Sequence, residues 1–119
     1  MKMYHRDVFI PANVREDFPL GVQSLIYTNH AKRASDTDRY GKLPILRSIR
    51  IFASDIIEAG TDDYGRLVHI LVRTSLNRNL DICLAIKLED NLFIVKTVWF
   101  NEQNDSHATL DTSKYERAA

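Results

Sequence analysis

The fold is decided by an alternating stretch in the second half of the chain, Leu67-Val68-His69-Ile70-Leu71-Val72-Arg73-Thr74-Ser75-Leu76. Successive side chains of a β-strand point to opposite faces of its sheet. His69 and Arg73 would therefore share one face, and the opposite set is the more apolar and the better candidate for the core. The side chains of this predicted core face are Val68, Ile70, Val72 and Thr74.

Similar runs lie on both sides of this stretch and are separated by short turn-forming segments. The four predicted strands are 49–59, 67–76, 80–88 and 92–100. Because short loops usually join antiparallel neighbours, the runs predict a four-stranded antiparallel meander. The last strand is apolar on both faces apart from Lys96 and Thr97, which favours a central or covered position.

The first part of the chain carries different signals. Residues 1–26 are expected to be mainly irregular, because Pro11 and Pro19 interrupt them, with a candidate short strand from Tyr4 to Ile10. Thr28 or Asn29 can cap a helix that runs to about Tyr40, and a short last helix can open near Thr109. The predicted fold is α+β: an amino-terminal helix, a four-stranded antiparallel sheet and a short carboxyl-terminal helix.

Composition limits the class of protein. The chain has 119 residues, 45% of them hydrophobic, which predicts one domain over 1–119 with its helix and sheet core in 27–119. Sixteen Lys and Arg balance sixteen Asp and Glu, so the formal net charge is zero. A protein held on nucleic acid by bulk charge normally has a basic excess, and that class is excluded. A compact basic site is still allowed.

Cysteine usage and targeting signals indicate a reducing compartment. Cys83 is the single cysteine, so no internal disulfide can form. The first residues become charged where a signal peptide needs its apolar stretch, and no later apolar run reaches bilayer length. The chain is expected to be cytoplasmic, without a membrane partner. No phosphate-binding or dinucleotide-binding glycine motif occurs, so no cofactor is predicted.

Histidines and basic residues are the candidates for chemistry. Imidazole titrates near neutrality, so His30 and His107 suit a reaction that removes one proton and delivers another. Attack by a ribose 2′-hydroxyl on the adjacent phosphate is such a reaction. Lys96 and Arg73 could stabilise the extra phosphate charge, and Thr109 supplies a positioning hydroxyl. The predicted catalytic set is therefore His30, His107, Lys96, Arg73 and Thr109.

Each of these residues also has an ordinary structural reading. A single histidine on a helix or strand is more often a surface group than a catalyst, and Arg73 suits the solvated edge of a sheet. Trp99 is expected in the core. A zinc site built from His30, His69 and His107 with an aspartate is the metal alternative. Their spacing matches no compact metal motif, so no metal is predicted.

Three segments resemble a known group of proteins. Tyr27-Thr28-Asn29-His30-Ala31-Lys32-Arg33-Ala34 resembles the His-Ala-x-x-Arg helix of small toxin-like domains. Val95-Lys96-Thr97-Val98-Trp99 and Asp105-Ser106-His107-Ala108-Thr109-Leu110 resemble their last strand and final catalytic segment. The element order is similar to the barnase–EndoU–colicin–RelE group of metal-independent ribonucleases. The resemblance implies RNA cleavage through a 2′,3′-cyclic phosphate, with His30, Lys96 and His107 as the matching residues.

A non-enzymatic function is the alternative. The small size and polar tail also resemble accessory proteins of bacteriophages, which implies a domain that binds and inhibits or redirects a host protein. The candidate partners are therefore RNA as a substrate, and a host protein or a neutralising partner. Convergence of His30, Lys96 and His107 on one phosphate position would favour the enzyme, whereas scatter over different faces would favour binding. The sequence predicts no oligomeric state.

Overall fold

A mixed β-sheet forms the body of the molecule. The computed structural model describes residues 1–38, 44–105 and 111–117. Within these ranges there are seven strands: β1 (Lys2–His5), β2 (Gly21–Tyr27), β3 (Ser48–Ile51), β4 (Ile56–Thr61), β5 (Leu67–Ser75), β6 (Leu80–Glu89) and β7 (Leu92–Glu102). The α-helices of the same ranges are α1 (Ala12–Glu16) and α2 (Asn29–Asp36). Two 3₁₀ turns lie at Ala53–Asp55 and Thr112–Lys114.

The strand order across the sheet is β1-β4-β5-β6-β7-β2-β3. Strands β4 to β7 follow one another as antiparallel neighbours, and β1 pairs antiparallel with β4. β2 lies parallel to β7, with Tyr27 opposite Val95, and β3 forms the far edge. One parallel pair therefore joins the antiparallel β2–β3 pair to the rest of the sheet.

The predicted α+β arrangement of an amino-terminal helix and a four-stranded meander is wrong. The run 49–59 is two strands, because the 3₁₀ turn at Ala53–Asp55 breaks it into β3 and β4. Residues 1–26, expected to be irregular apart from a short strand near the start, contain β1, α1 and most of β2. Pro11 is the N-cap of α1, so this proline begins a helix rather than preventing one. The pairing partners of β1 and β2 are distant in sequence, so the residue pattern within each strand does not predict them.

One face of the sheet is the hydrophobic core. Its centre consists of buried aliphatic side chains from the middle strands, namely Ile70, Val72, Ile82, Leu84, Ile86, Val95 and Val98. Val14 of α1 and Ala31 of α2 belong to the same cluster, so both helices cover this face. Burial at roughly 25 cal/mol per Å² of apolar surface makes this face the main source of stability. We call it the core face.

The predicted cap of the first long helix is confirmed. Thr28 precedes α2, and its side-chain oxygen accepts a hydrogen bond from the Ala31 amide at 3.1 Å. The predicted helix end near Tyr40 lies outside the described residues. Near the carboxyl terminus, the described chain has only the 3₁₀ turn Thr112–Lys114 where a short helix was expected, and Thr109 lies outside the described ranges. The helices in those ranges include none with the length and apolar character needed to cross a bilayer.

Candidate functional site

The sheet face opposite the core carries an open groove of about 550 Å³. We call this side the groove face. The groove extends from β1 across β4, β5 and β6 to β7, and the last 3₁₀ turn adds a lysine. The lining residues that matter here are Met1, Met3, Glu58, His69, Leu71, Ala85, Lys96, Thr97, Trp99 and Lys114. Apolar side chains and a tryptophan thus lie beside several cationic groups.

Strand register explains the groove. Glu58, Leu71, Ala85 and Thr97 lie opposite one another on four neighbouring strands and form one row across the sheet. Ala85 is the smallest member of this row, so the surface is recessed at β6. In the next row, Gly60 of β4 lies opposite His69, and the Met3 side chain packs where a Gly60 side chain would be, with its Sδ 2.8 Å from that Cβ position.

A β-bulge at Lys96 places Trp99 on the groove face. Ala85 pairs with Thr97 while the next residue of β6 pairs with Val95, so Lys96 is the extra residue of β7. The extra residue reverses the alternation: Val95 faces the core, and Thr97 and Trp99 face the groove. Lys96 itself is exposed and lines the groove. The predicted strand was apolar on both faces because residues before and after the bulge point to the core from alternate positions. The expectation that Trp99 lies in the core is wrong.

His69 lies in a cationic environment. Lys87 is directly opposite it on β6. Partial burial lowers the pKa of His69, and the charges of Lys87 and Lys96 lower it further. Because free imidazole has a pKa near 6.5, this histidine is neutral at pH 7. It can accept a proton or a hydrogen bond there, whereas the lysines can only donate.

The carboxyl-terminal turn closes one end of the groove. The Tyr115 hydroxyl donates a hydrogen bond to Glu58, and the Tyr115 ring meets the buried ring of His5 edge-on at 5.0 Å. Burial and the Glu58 carboxylate raise the pKa of Tyr115, so its hydroxyl stays protonated as a donor. The Glu116 amide donates to the Met3 carbonyl at 2.8 Å. These contacts hold Lys114 at the edge of the groove.

Arg73 belongs to a structural network. Its Nε lies 2.8 Å from an Asp81 carboxylate oxygen. Its guanidinium also donates to the carbonyl oxygens of Glu102 at 3.0 Å and Asp105 at 2.7 Å. The side chain is only 9% exposed. With these donors engaged, Arg73 ties the end of β7 to β5; it lies on the same sheet face as His69 but is not one of the residues that line the groove.

Of the five residues predicted from sequence, Lys96 is the one found lining the groove. His30 is exposed on α2 and is not among the lining residues, since α2 packs on the core face. His107 and Thr109 lie outside the described residues. His30 therefore lies outside the groove that Lys96 lines, although the start of α2 reaches β7, where the Thr28 hydroxyl donates to the Lys96 carbonyl at 3.5 Å. His69 and Trp99 line the groove together with Lys96. The alternation of β5 had predicted the face of His69, but no sequence signal identified the bulge that places Trp99 on the same face.

Other reactive groups give no second site. Across 1–38, 44–105 and 111–117, no three or more His, Cys, Asp and Glu side chains cluster closely enough to hold a metal ion. Cys83 is buried between Arg73 and Trp99 in the same cross-strand row. Burial raises the pKa of this thiol to about 12, so it remains protonated and unreactive at neutral pH.

Comparison with known proteins identifies no relative of this chain. No family model matches, and neither the curated proteins nor the solved structures gave a match. The resemblance to metal-independent ribonucleases therefore stays a prediction. Inferences about function rest on the groove.

Proposed function

We propose that this chain binds single-stranded RNA in the groove. The observation that carries the proposal is that Trp99, Lys96 and Lys114 line one recess on an open sheet face. Bases stack on exposed aromatic rings with little dependence on sequence, and nearby ammonium groups attract the phosphates between them. The groove combines these two kinds of group.

The size of the groove fits a short segment of RNA, one or two nucleotides long. Its volume of about 550 Å³ falls within the range of sites that hold drug-sized ligands, and a nucleotide is a ligand of that size. The net charge of zero also fits a site that engages one or two phosphates rather than a long basic track. Neutral His69 adds an acceptor for a ribose hydroxyl or a base amino group.

Binding is tested by fluorescence anisotropy with a labelled 12-nucleotide RNA of mixed sequence, in EDTA. Stacking of a base on an aromatic residue contributes about 1–3 kcal/mol, so Trp99→Leu should weaken binding at least fivefold. Tyr64→Leu is the matched control, because Tyr64 is 84% exposed and lies outside the groove. Equal binding by the wild type and the Trp99 variant would contradict the proposal.

A second pair of variants tests whether the lysines of the groove contribute to RNA binding. Lys96→Gln should weaken RNA binding, whereas Lys32→Gln, which removes an exposed lysine of α2, should not. If the folded wild type bound no RNA, the alternative prediction of a protein partner would be favoured. The exposed apolar side chains of Val22, Ile26 and Leu92 support that alternative.

RNA cleavage is the second candidate function, and neutral His69 beside Lys96 favours it. The imidazole of His69 would take the proton of a ribose 2′-hydroxyl while the ribose 2′-oxygen forms a bond to the adjacent phosphorus. The bond from phosphorus to the 5′-oxygen then breaks, and water or the imidazolium returns a proton to that oxygen. The products would be a 2′,3′-cyclic phosphate and a free 5′-hydroxyl, with Lys96 stabilising the phosphorane charge.

Cleavage is tested by incubating total RNA in excess EDTA and assaying the ends for cyclic phosphate. The wild type should cleave, His69→Gln should lose at least 100-fold in rate, and His30→Gln should cleave normally. His107→Ala tests the residue that the resemblance names. Loss of cleavage in His30→Gln with retention in His69→Gln would rule out this role for His69.

A further inference from the structure

We propose that the β3 edge of the sheet binds an extended, acidic segment of a protein partner, which adds to the sheet as a further strand. β3 (Ser48–Ile51) is the last strand in the sheet order and pairs with β2 on one side only. A segment that pairs with an edge strand gains main-chain hydrogen bonds, and its side chains supply the specificity. No residue of β3 lines the groove, so the inference does not depend on RNA binding.

Alternate residues of β3 direct their backbone groups away from the sheet. Just before the strand, the Leu25 amide donates to the Arg47 carbonyl at 2.8 Å. Hydrogen-bonded and non-hydrogen-bonded pairs alternate along an antiparallel ladder. In this register Ile49 therefore bonds to β2, whereas the N–H and C=O groups of Ser48 and Arg50 point outward. Within the described part of the chain no strand lies beside them, so they can pair with a strand from another molecule.

The opposite edge of the sheet is covered. There the Glu116 amide donates to the Met3 carbonyl of β1 at 2.8 Å, and the buried Tyr115 side chain anchors this carboxyl-terminal segment. An edge strand without such a cover is a template for pairing with another chain. β3 is therefore the open edge of the sheet that the described ranges form.

Two arginines define the charge of the partner. Arg47 and Arg50 are exposed, and neither forms an ion pair with a residue of the described ranges. Residues 44–54 contain these two cations and no acidic residue. Two copies of the chain paired through β3 would bring four arginines together, which disfavours self-association. Carboxylates of a partner would instead complement the charge of this edge.

Apolar side chains at both ends of β3 indicate the length of the segment. Ile45 and Phe52 are large hydrophobic residues that are exposed on either side of the strand. The four residues of β3 span about 13 Å, because a strand rises about 3.3 Å per residue. An extended segment of about four to six residues therefore fits, with carboxylates at its centre and apolar side chains at its ends.

The test uses the full chain, labelled with ¹⁵N, and the acetylated and amidated peptide Val-Val-Glu-Glu-Val-Val. Its adjacent glutamates project to opposite faces of a strand, as Arg47 and Arg50 do. Binding should shift the amide signals of Ser48 and Arg50 and slow their exchange with solvent. The Ile49 amide already pairs with β2 and should keep its exchange rate. The control peptide Val-Val-Lys-Lys-Val-Val should bind about tenfold more weakly.

Variants separate backbone pairing from charge. Ser48→Pro removes one outward N–H without changing the charge, and proline is tolerated on an edge strand where the N–H faces solvent. This variant should lose binding of the acidic peptide. The double variant Arg47→Glu, Arg50→Glu should prefer the lysine peptide. Arg33→Glu, which reverses an exposed charge on α2, is the matched control and should bind as the wild type does.

Three results would overturn the proposal. The first is equal binding of the two peptides, or amide shifts centred on Trp99 rather than on Ser48. The second is self-association of the wild type that Ser48→Pro abolishes, because a second copy would then occupy the edge. The third is loss of RNA binding in the double arginine variant together with no binding of the acidic peptide, which would assign the edge to RNA. Failure of the wild type to bind RNA leaves this proposal standing.

Discussion

Arg73 and Asp81 form an ion pair across β5 and β6, with 2.8 Å between Arg73 Nε and Asp81 Oδ2. Their side chains are 9% and 16% exposed. Removing one partner of such a pair leaves an uncompensated charge that is largely excluded from water. The pair is therefore expected to stabilise the folded state. It also explains why the Arg73 side chain is not one of the groove-lining residues.

Arg73→Met should lower the free energy of unfolding by about 3 kcal/mol, measured by urea denaturation at pH 7. Arg66→Met is the matched control, because the ion pair of Arg66 with Asp62 is on the surface, where water screens the attraction and the pair adds little to stability. RNA affinity of the folded Arg73 variant should equal that of the wild type. A stable Arg73 variant with weakened RNA binding would mean that this arginine contacts the ligand.

Salt dependence should report the number of phosphates bound in the groove. Each phosphate neutralised on a single strand contributes about −0.7 to the slope of log affinity against log salt concentration. Contacts from Lys96 and Lys114 predict a slope of about −1.4, and Lys96→Gln should reduce it to about −0.7. A slope several times steeper would indicate a long basic track, which the balanced charge does not allow.

The pKa of His69 should lie below the ordinary histidine value of about 6.5 in an NMR titration. Burial and two lysines lower it, so Lys87→Gln or Lys96→Gln should raise it. Below about pH 6.5 the unfolded chain takes up a proton at this position more readily than the folded chain does. Acidification through that range therefore lowers the stability of the wild type more than that of His69→Gln. Equal pH dependence of stability in the two proteins would contradict a lowered pKa of His69 in the folded state.

Thr28→Ala should destabilise the protein by about 1 kcal/mol, because the first turn of α2 loses its side-chain acceptor. Thermal unfolding provides the measurement. Thr28→Ser keeps the acceptor and should restore most of the loss. Thr37→Ala is a helix-end control, since the Thr37 hydroxyl only donates to a carbonyl at the other end.

The turn between β6 and β7 can be stabilised by one substitution. Asp90 and Asn91 both have positive φ, 51° and 63°. That conformation at both central residues is the two-residue hairpin turn in which glycine is favoured at the second position. Asn91→Gly should therefore be neutral or stabilising by up to about 0.5 kcal/mol, and Asn91→Val should cost about 1–2 kcal/mol. Similar denaturation midpoints for all three proteins would exclude this turn geometry.

Local signals predicted the local features. The alternation at His69 and Arg73 gave the correct faces of β5, and the cap at Thr28 is where the sequence indicated. These features depend on hydrogen bonds and periodicities spanning a few residues. The boundaries of β5, β6 and β7 also lie close to the predicted ones, because turn-forming residues separate them.

Features that depend on distant pairing were not predictable. The sequence of β2 has no signal for its parallel partner β7, and the residues of β1 do not indicate that β4 is their neighbour. The bulge at Lys96 is set by the register between β6 and β7, and it moves Trp99 from the expected core to the groove. A shift of one residue reverses the face of every following side chain, so the site could not be assembled from spacing alone.

The parallel pairing of β2 with β7 has a consequence for how the chain is made. Tyr27 emerges from the ribosome long before Val95, its partner in the sheet. Until β7 is synthesised, β2 has β3 on one side but no strand on the other, next to Leu25. Pairs so distant in sequence close slowly and leave strands open to other contacts. β7, the last strand of the described ranges, therefore links β6 to β2, and a chain truncated before Leu92 would leave β2 without its parallel partner.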